Sequence, residues 1–247
     1  QLKIMIFKFL LFVITFLFIP GNVFLYKIKK DQLFTFFLSI CLGLVLITLL
    51  SFLGGYLGVN WIVLVFVVST WLLFIVKKFY LNIEWRKVNL PLLVLTIIIL
   101  GTVFQNVTNV RTGLIYDFGM GFWGPLGRDG IWHQALSNQL MKNFPPESPG
   151  FSGQMLSNYH YFYNLLVAQT SKVTGIDTID LIYRFYPVIF SVLLGIGTYI
   201  FANVLFKNKL ASVLSLFFVY FGGSFGWVVE WIRNGKPWGG ESTFWAN

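Results

Sequence analysis

A carboxylate and an imidazole lie one helical turn apart near the middle of the chain. From Asp129 to Leu140, apolar residues recur at helical spacing and polar residues fill the opposite arc, which predicts an amphipathic helix. At about 100° per residue, Asp129 and His133 differ by only about 40° around this helix, so their side chains share one edge. Such a pair can accept and deliver protons, which makes both residues candidate catalytic groups. The alternative for Asp129 is a helix N-cap, a role compatible with contact to a substrate.

A second group of polar and aromatic side chains follows the helix at Tyr159-His160-Tyr161. Pro145 and Pro146 separate it from the helix, because consecutive prolines prevent the helix from continuing. Tyrosines are favoured at a membrane interface, and an aromatic belt is their default interpretation. An ionisable residue such as His160 at a membrane boundary usually has a partner or a function.

The chain that must position these residues has the composition of an integral membrane protein. Hydrophobic residues make up 57% of it and charged residues 11%, and its mean hydropathy is +0.75, which excludes an ordinary soluble domain. Several apolar windows approach the roughly 20 residues that a helix needs to cross a bilayer. We predict an all-α bundle of about seven spans, over residues 4–26, 33–53, 61–76, 90–107, 159–170, 185–206 and 211–232.

The net charge of +9 is explained by short basic clusters beside the predicted spans rather than by a nucleic-acid surface. The positive-inside rule places the clusters at 27–30 and 77–87 in the cytoplasm, and therefore loop 108–158 outside, with its amphipathic helix on the membrane surface. Seven spans would leave Lys207 and Lys209 outside, against this bias. Either segment 159–170 is too short to cross, or these lysines are tolerated.

Order and spacing in this loop resemble those of the GT-C superfamily of polytopic membrane glycosyltransferases, which includes protein O-mannosyltransferases and the aminoarabinose transferases of lipid A. An early acid in Arg128-Asp129-Gly130 is followed by an interfacial helix, by Phe144-Pro145-Pro146 and by the His-bearing return at Tyr159-His160-Tyr161. The resemblance covers about residues 90–232. It implies a family core over 90–247, preceded by an extension of about three helices over 1–89.

The resemblance implies transfer of a sugar from a polyprenyl-phosphate donor to the hydroxyl of an acceptor glycan, lipid or protein, with inversion at the anomeric carbon. Asp129 would be the general base, and the leaving phosphate would need cationic or hydrogen-bonding groups rather than an acid. The expected substrate-binding residues are Arg128, Asp117, Tyr159, His160 and Tyr161. Arg184 could serve too, although an anchor at the cytoplasmic boundary is the favoured interpretation.

No cofactor is expected. The resemblance allows a divalent metal, but the loop lacks the acidic pair that many relatives show, so the sequence does not support one. The expected location is the plasma membrane of a prokaryote, with the site on the extracytoplasmic face and no nucleic-acid partner. Because the chain opens on Gln1 and stops at Asn247 in a polar segment, we expect an N-terminal fragment of a longer protein.

Two other classes of function remain open. A transporter or lipid flippase would also have many helices, but it would carry ionisable groups near the bilayer midplane, whereas here the polar chemistry collects in one loop. A non-catalytic assembly subunit would use the loop to bind a partner. Cys41 is the sole cysteine, which excludes a disulfide framework and a thiolate metal site.

Overall fold

The computed structural model describes residues 2–27, 31–79, 88, 90–122, 124–127, 129–223 and 226–235. These residues are mostly helical, as predicted, and two short antiparallel hairpins interrupt the helices. The helices are α1 Leu2–Phe12, α2 Ile19–Leu25, α3 Gln32–Tyr56, α4 Ile62–Val76, α5 Leu92–Arg111, α6 Asp129–Lys142, α7 Phe162–Thr174, α8 Thr178–Asp180, α9 Tyr186–Phe206, α10 Lys209–Phe221 and α11 Gly226–Asn234. The hairpins pair β1 Leu114–Tyr116 with β2 Gly119–Gly121, and β3 Glu147–Ser148 with β4 Phe151–Met155.

Four helices within the described residues are long and apolar enough to cross a membrane. They are Leu2–Leu25, Gln32–Tyr56, Leu92–Arg111 and Thr178–Phe206. The first joins α1 and α2 through a π-helical turn at Val13–Phe18, and the last joins α8 and α9 through another at Leu181–Phe185. Helices α4 and α10 are shorter apolar helices. The structure thus confirms a helical protein with membrane-spanning candidates, and it does not show the seven spans that we predicted.

The predicted fifth span, 159–170, is helix α7, which is too short to cross a bilayer. Its 13 residues cover about 20 Å, against a hydrocarbon core of about 30 Å. Its buried residues include the run Asn164–Ala168 together with Thr170 and Ser171, and it packs against α3 and α6. The prediction failed here because an apolar helix face that is covered by protein has the same composition as a short membrane segment.

The predicted seventh span, 211–232, is two helices rather than one. Helix α10 ends at Phe221, where the chain passes through Gly222 and Gly223, and α11 begins at Gly226. Gly223 has a φ of +53°, a conformation that glycine adopts without the steric cost that a Cβ imposes. The hydropathy of the segment is continuous, but its backbone is not helical throughout.

The chain forms two compact units, Gln1–Leu90 with Asn106–Phe190, and Pro91–Gln105 with Ser191–Asn247. In the first unit, small residues allow a close crossing of two membrane helices. A Cβ built on Gly43 of α3 would lie 2.0 Å from the carbonyl oxygen of Leu17, and one on Gly21 would lie 1.9 Å from that of Ser39. Such close approach is the usual basis of helix association where no hydrophobic effect drives it.

The loops after α2 and α4 start at the same end of this unit. The ring of Tyr26 stacks on that of Phe79, with centroids 4.6 Å apart. Lys27 follows Tyr26 directly, and Lys77 and Lys78 precede Phe79. Basic residues from two loops are therefore gathered at one end, as the positive-inside rule requires of loops on one membrane face.

The segment between α5 and α8 begins and ends at neighbouring positions in the first unit. Nη2 of Arg184 donates a hydrogen bond to the carbonyl oxygen of Thr112, 3.0 Å away, so the end of α5 meets the start of the next span. We call residues 112–177 the excursion, because its first residue is in contact with Arg184, shortly after its last.

The second unit is organised around a tyrosine on α10. The Tyr220 hydroxyl donates to the Ser191 carbonyl oxygen at 2.6 Å, and the Ser191 hydroxyl donates to Oε1 of Gln105 at 2.7 Å. Glycines at positions 101 and 195 leave room for the Tyr220 side chain. Parts of α5, α9 and α10 are thereby linked by hydrogen bonds as well as by packing.

Candidate functional site

Asp129 is the first residue of α6 and has an exposed side chain. It makes no hydrogen bond or ion pair with another residue in the described part of the chain. An acidic side chain in the first turn is favoured by the helix dipole, whether or not it has another role. The carboxylate is thus positioned by a regular helix and remains accessible to a ligand.

His133, one turn further along α6, is held by α7. Its Nδ1 lies 3.2 Å from Oδ1 of Asn164, and Nδ2 of Asn164 donates to the His133 carbonyl oxygen at 2.9 Å and to Oγ of Ser137 at 3.0 Å. Because Nδ2 makes both donor contacts, Oδ1 faces the imidazole and Nδ1 carries a proton. In neutral His133 this leaves Nε2 as the acceptor, the form that a proton-accepting histidine needs.

The predicted pairing of Asp129 with His133 is only partly formed. Both residues lie on α6 one turn apart, as the spacing requires, but the half-buried imidazole is hydrogen-bonded to Asn164 whereas the carboxylate is exposed. Among the described residues, no hydrogen bond joins them. The two groups are neighbours on one helix and not a preformed dyad.

Two residues of the segment Tyr159-His160-Tyr161, here called the return segment, lie beside α6. The ring of Tyr159 makes an edge contact with Trp132, with centroids 6.0 Å apart, and His160 stacks on Tyr159 at 4.8 Å. Since Trp132 follows Asp129 by three residues, the structure brings Tyr159 and the exposed His160 to the helix that carries Asp129.

Tyr161 has a different environment from the two residues before it. It packs with Phe144, with centroids 6.0 Å apart, against the buried cluster that includes Leu136 and Leu140 of α6. Burial raises the pKa of the Tyr161 hydroxyl. These contacts are those of a core residue, which joins the return segment to α6.

Of the other two predicted binding residues, the structure describes only Asp117. Asp117 is exposed in the turn of the β1–β2 hairpin, between Tyr116 and Gly119. Arg128 lies outside the described residues. No group of three or more His, Cys, Asp or Glu side chains that could hold a metal ion occurs in the described ranges.

The amphipathic pattern located α6 correctly but not its whole buried face. Leu136 and Leu140 are buried as predicted, while Ile131 is 47% exposed. Gly130 and Ser137 are buried instead, and the helix packs against α7. The sequence analysis also missed Asn164, whose only signal was a polar amide within the mostly apolar run 162–168.

Arg184 lies near the start of the Thr178–Phe206 helix, and its interpretation as an anchor at the cytoplasmic boundary stays a prediction. Besides its bond to Thr112, its Nη1 forms an ion pair with Oδ1 of Asp180 at 2.8 Å, in a half-buried environment. The guanidinium therefore fastens the end of α5 to the start of the Thr178–Phe206 helix. It is a structural residue of the excursion's base.

Replacing Arg184 with Met should lower the free energy of unfolding by about 2 kcal/mol, because the buried Thr112 carbonyl and the Asp180 carboxylate both lose a charged donor. Thermal unfolding of the purified protein would measure the loss. The free energy of unfolding of Arg184→Lys should fall between those of the wild type and Arg184→Met, since one ammonium cannot reproduce both contacts. Lys142→Met, at the exposed end of α6, is the control; equal stability of Arg184→Met and the control would contradict the assignment.

Comparison with protein-family models, with curated proteins and with solved structures finds no match to this chain. The resemblance to membrane glycosyltransferases therefore stays a prediction.

Proposed function

We propose that the chain belongs to a membrane glycosyltransferase that moves a sugar from a polyprenyl-phosphate donor to an acceptor hydroxyl, with Asp129 as general base. The observation that carries the proposal is the exposed Asp129 carboxylate at the start of α6, within an excursion that begins and ends at one end of the membrane helices. A carboxylate held there can meet both a lipid headgroup and an acceptor from the aqueous phase.

In the proposed reaction the acceptor oxygen attacks the anomeric carbon as its proton passes to Asp129. The bond between that carbon and the phosphate oxygen breaks, and polyprenyl phosphate leaves with the electron pair. A single displacement of this kind inverts the anomeric centre. His133 is the second proposed catalytic residue, because its Nε2 is an acceptor one helical turn from Asp129.

The proposed substrate-binding residues differ in how the structure supports them. The exposed imidazole of His160 and the hydroxyl of Tyr159 lie beside α6, where they could bind a phosphate or a sugar. Tyr161 supports the backbone of that segment. Arg128 and Asp117 rest on the sequence resemblance alone.

An apolar groove of about 420 Å³ supports a lipid-linked donor. It lies between α3, α7 and α9, and its lining includes Thr48, Leu49, Phe162 and Phe190. Phe162 directly follows Tyr161, so the groove opens next to the return segment. An isoprenoid chain in the groove would therefore bring its phosphate towards the residues that adjoin α6.

Transport is the weaker alternative. The buried polar side chains within the candidate spans are neutral ones, such as Asn22, Ser39, Ser51 and Thr102. Asn22 donates to the Ser39 hydroxyl at 3.4 Å, and the Ser51 hydroxyl donates to its own helix. These contacts are typical of helix association, whereas transporters place ionisable groups near the midplane.

The test is sugar transfer by membranes that contain the full-length protein, with a panel of radiolabelled polyprenyl-phosphate hexoses and pentoses as donors. We expect label to move to an endogenous acceptor, and membranes that lack the protein to show none. The same sugars supplied as nucleotide derivatives, with synthesis of the lipid donor blocked, should not be used. Transfer from nucleotide sugars alone, or from no donor of the panel, would reject the proposal.

A further inference from the structure

Tyr183 has a buried hydroxyl without a hydrogen-bond partner among the residues that the structure describes. The residue is 1% exposed, and its hydroxyl oxygen has no hydrogen bond within the described part of the chain. Buried tyrosine hydroxyls nearly always have a partner, because the desolvation of an unpaired hydroxyl is unfavourable. A native structure that keeps such a group calls for an explanation beyond packing.

This hydroxyl is directed at the first turn of α6. A Cβ built on Gly130 would lie 2.2 Å from the Tyr183 hydroxyl oxygen, so only glycine allows this approach. Gly130 is the second residue of a 14-residue helix. The first turn of such a helix carries N–H groups without intrahelical acceptors, together with the positive end of the helix dipole.

The backbone around Tyr183 is itself unusual. Residues Leu181–Phe185 form a π-helical turn, an irregularity that is frequent at functional sites. Tyr183 lies in the middle of this turn, and its ring meets Phe122 edge-on, with centroids 6.2 Å apart.

We propose that the first turn of α6 and the hydroxyl of Tyr183 form a binding site for a phosphate group. The backbone N–H groups are hydrogen-bond donors and the tyrosine hydroxyl can donate as well, so a ligand with several acceptor oxygens suits them. A phosphate satisfies this requirement and also carries the negative charge that a helix N-terminus favours.

The site deepens the proposed function and rests on it for the identity of the ligand, the phosphate of the polyprenyl donor. Asp129 is exposed whereas Gly130 is buried, so the carboxylate and the phosphate would lie at one helix end without sharing one position. An inverting displacement needs this arrangement, because base and leaving group act on opposite sides of the anomeric carbon. The same chemistry would hold free phosphate.

The test compares binding of a short-chain prenyl phosphate and of inorganic phosphate to the purified full-length protein, by titration calorimetry. Tyr183→Phe should weaken binding of the prenyl phosphate about 10-fold or more, since a hydrogen bond to a charged group is lost. Its unfolding temperature should be equal or higher, because the unpaired hydroxyl is gone. The control is Tyr116→Phe, which removes an exposed hydroxyl that bonds to the Arg111 carbonyl.

Equal affinity of wild type and Tyr183→Phe, or no phosphate binding by wild type, would overturn the site. Inorganic phosphate that binds as tightly as the prenyl phosphate, and depends equally on Tyr183, would assign the site to free phosphate. The readout is independent of catalysis. If binding depends on Tyr183 but the protein transfers no sugar, the site is retained and the glycosyltransferase proposal is rejected. If the protein transfers sugar but binding does not depend on Tyr183, the glycosyltransferase proposal is retained and the site is rejected.

Discussion

Asp129→Asn is expected to lower the rate of sugar transfer by about 10² to 10⁴-fold, the usual contribution of a general base. The amide keeps the size of the side chain but cannot take the proton of the acceptor hydroxyl. Initial rates of transfer from a polyprenyl-phosphate sugar, at equal amounts of full-length protein in the membrane, would measure the effect.

The variant should fold normally, which makes its activity interpretable. Asp129 is exposed and has no described partner to lose, and asparagine is compatible with the start of a helix. Its unfolding temperature should therefore stay within a degree or two of wild type, because exposed substitutions of this kind change stability by less than about 0.5 kcal/mol.

Asp177→Asn is the matched control for Asp129→Asn. Asp177 is also exposed, lies in the same excursion and precedes a helix, where its Oδ1 accepts a hydrogen bond from the Ile179 N–H at 2.9 Å. Asparagine can accept the same bond, so transfer should remain at the wild-type rate. Asp129→Glu should retain part of the activity. Full activity in Asp129→Asn would remove this carboxylate from the proposed mechanism.

The helical character of the chain and most of its long helices follow from its sequence, because hydropathy reports how strongly a segment favours leaving water. The predicted spans 33–53 and 90–107 correspond to Gln32–Tyr56 and Leu92–Arg111. Hydropathy fails at α7, where Leu165, Leu166 and Val167 are buried by other helices. The free energy of burial depends on leaving water and not on which apolar environment covers the side chain, so composition cannot separate the two cases.

Two lysines were inconsistent with the predicted number of membrane spans. Lys207 and Lys209 conflicted with seven spans, and the conflict allowed two explanations, a segment 159–170 too short to cross or lysines that are tolerated outside. Helix α7 is too short to cross, and the contact between Arg184 and Thr112 brings the two ends of segment 112–184 together. That contact joins residues 72 positions apart, and a pattern of local spacing cannot predict it.

The sequence predicted the site residues that lie on a single helix, but not the contacts between separate elements. The position of Asp129 and His133 on α6 follows from periodicity alone. The contact of Trp132 with Tyr159, and the approach of Tyr183 to Gly130, depend on how separate elements pack. Tyr183 gave no signal because a tyrosine in an apolar run is an ordinary core residue.

Asn164→Leu should release α6 from α7 and lower the free energy of unfolding by about 2–3 kcal/mol. Asn164 is 1% exposed and connects the helices through the His133 carbonyl, the Ser137 hydroxyl and the His133 imidazole. Leucine is similar in volume, so the loss comes from hydrogen bonds that are worth about 1 kcal/mol each and from the buried groups left unpaired.

Amide hydrogen exchange across α6 is the measurement that isolates this role. In Asn164→Leu the amides of Asp129–Lys142 should exchange faster, while those of α3 stay protected, because α3 is held by its own crossing with the first span. Asn164→Asp keeps an acceptor for the imidazole but places a carboxylate oxygen against the His133 carbonyl oxygen, so it should also speed exchange in α6. Gln169→Leu is the control on α7, half-buried and without a described hydrogen bond. If α6 exchanges equally in Asn164→Leu and Gln169→Leu, Asn164 does not hold His133 in place, and the tautomer assigned to His133 loses its support.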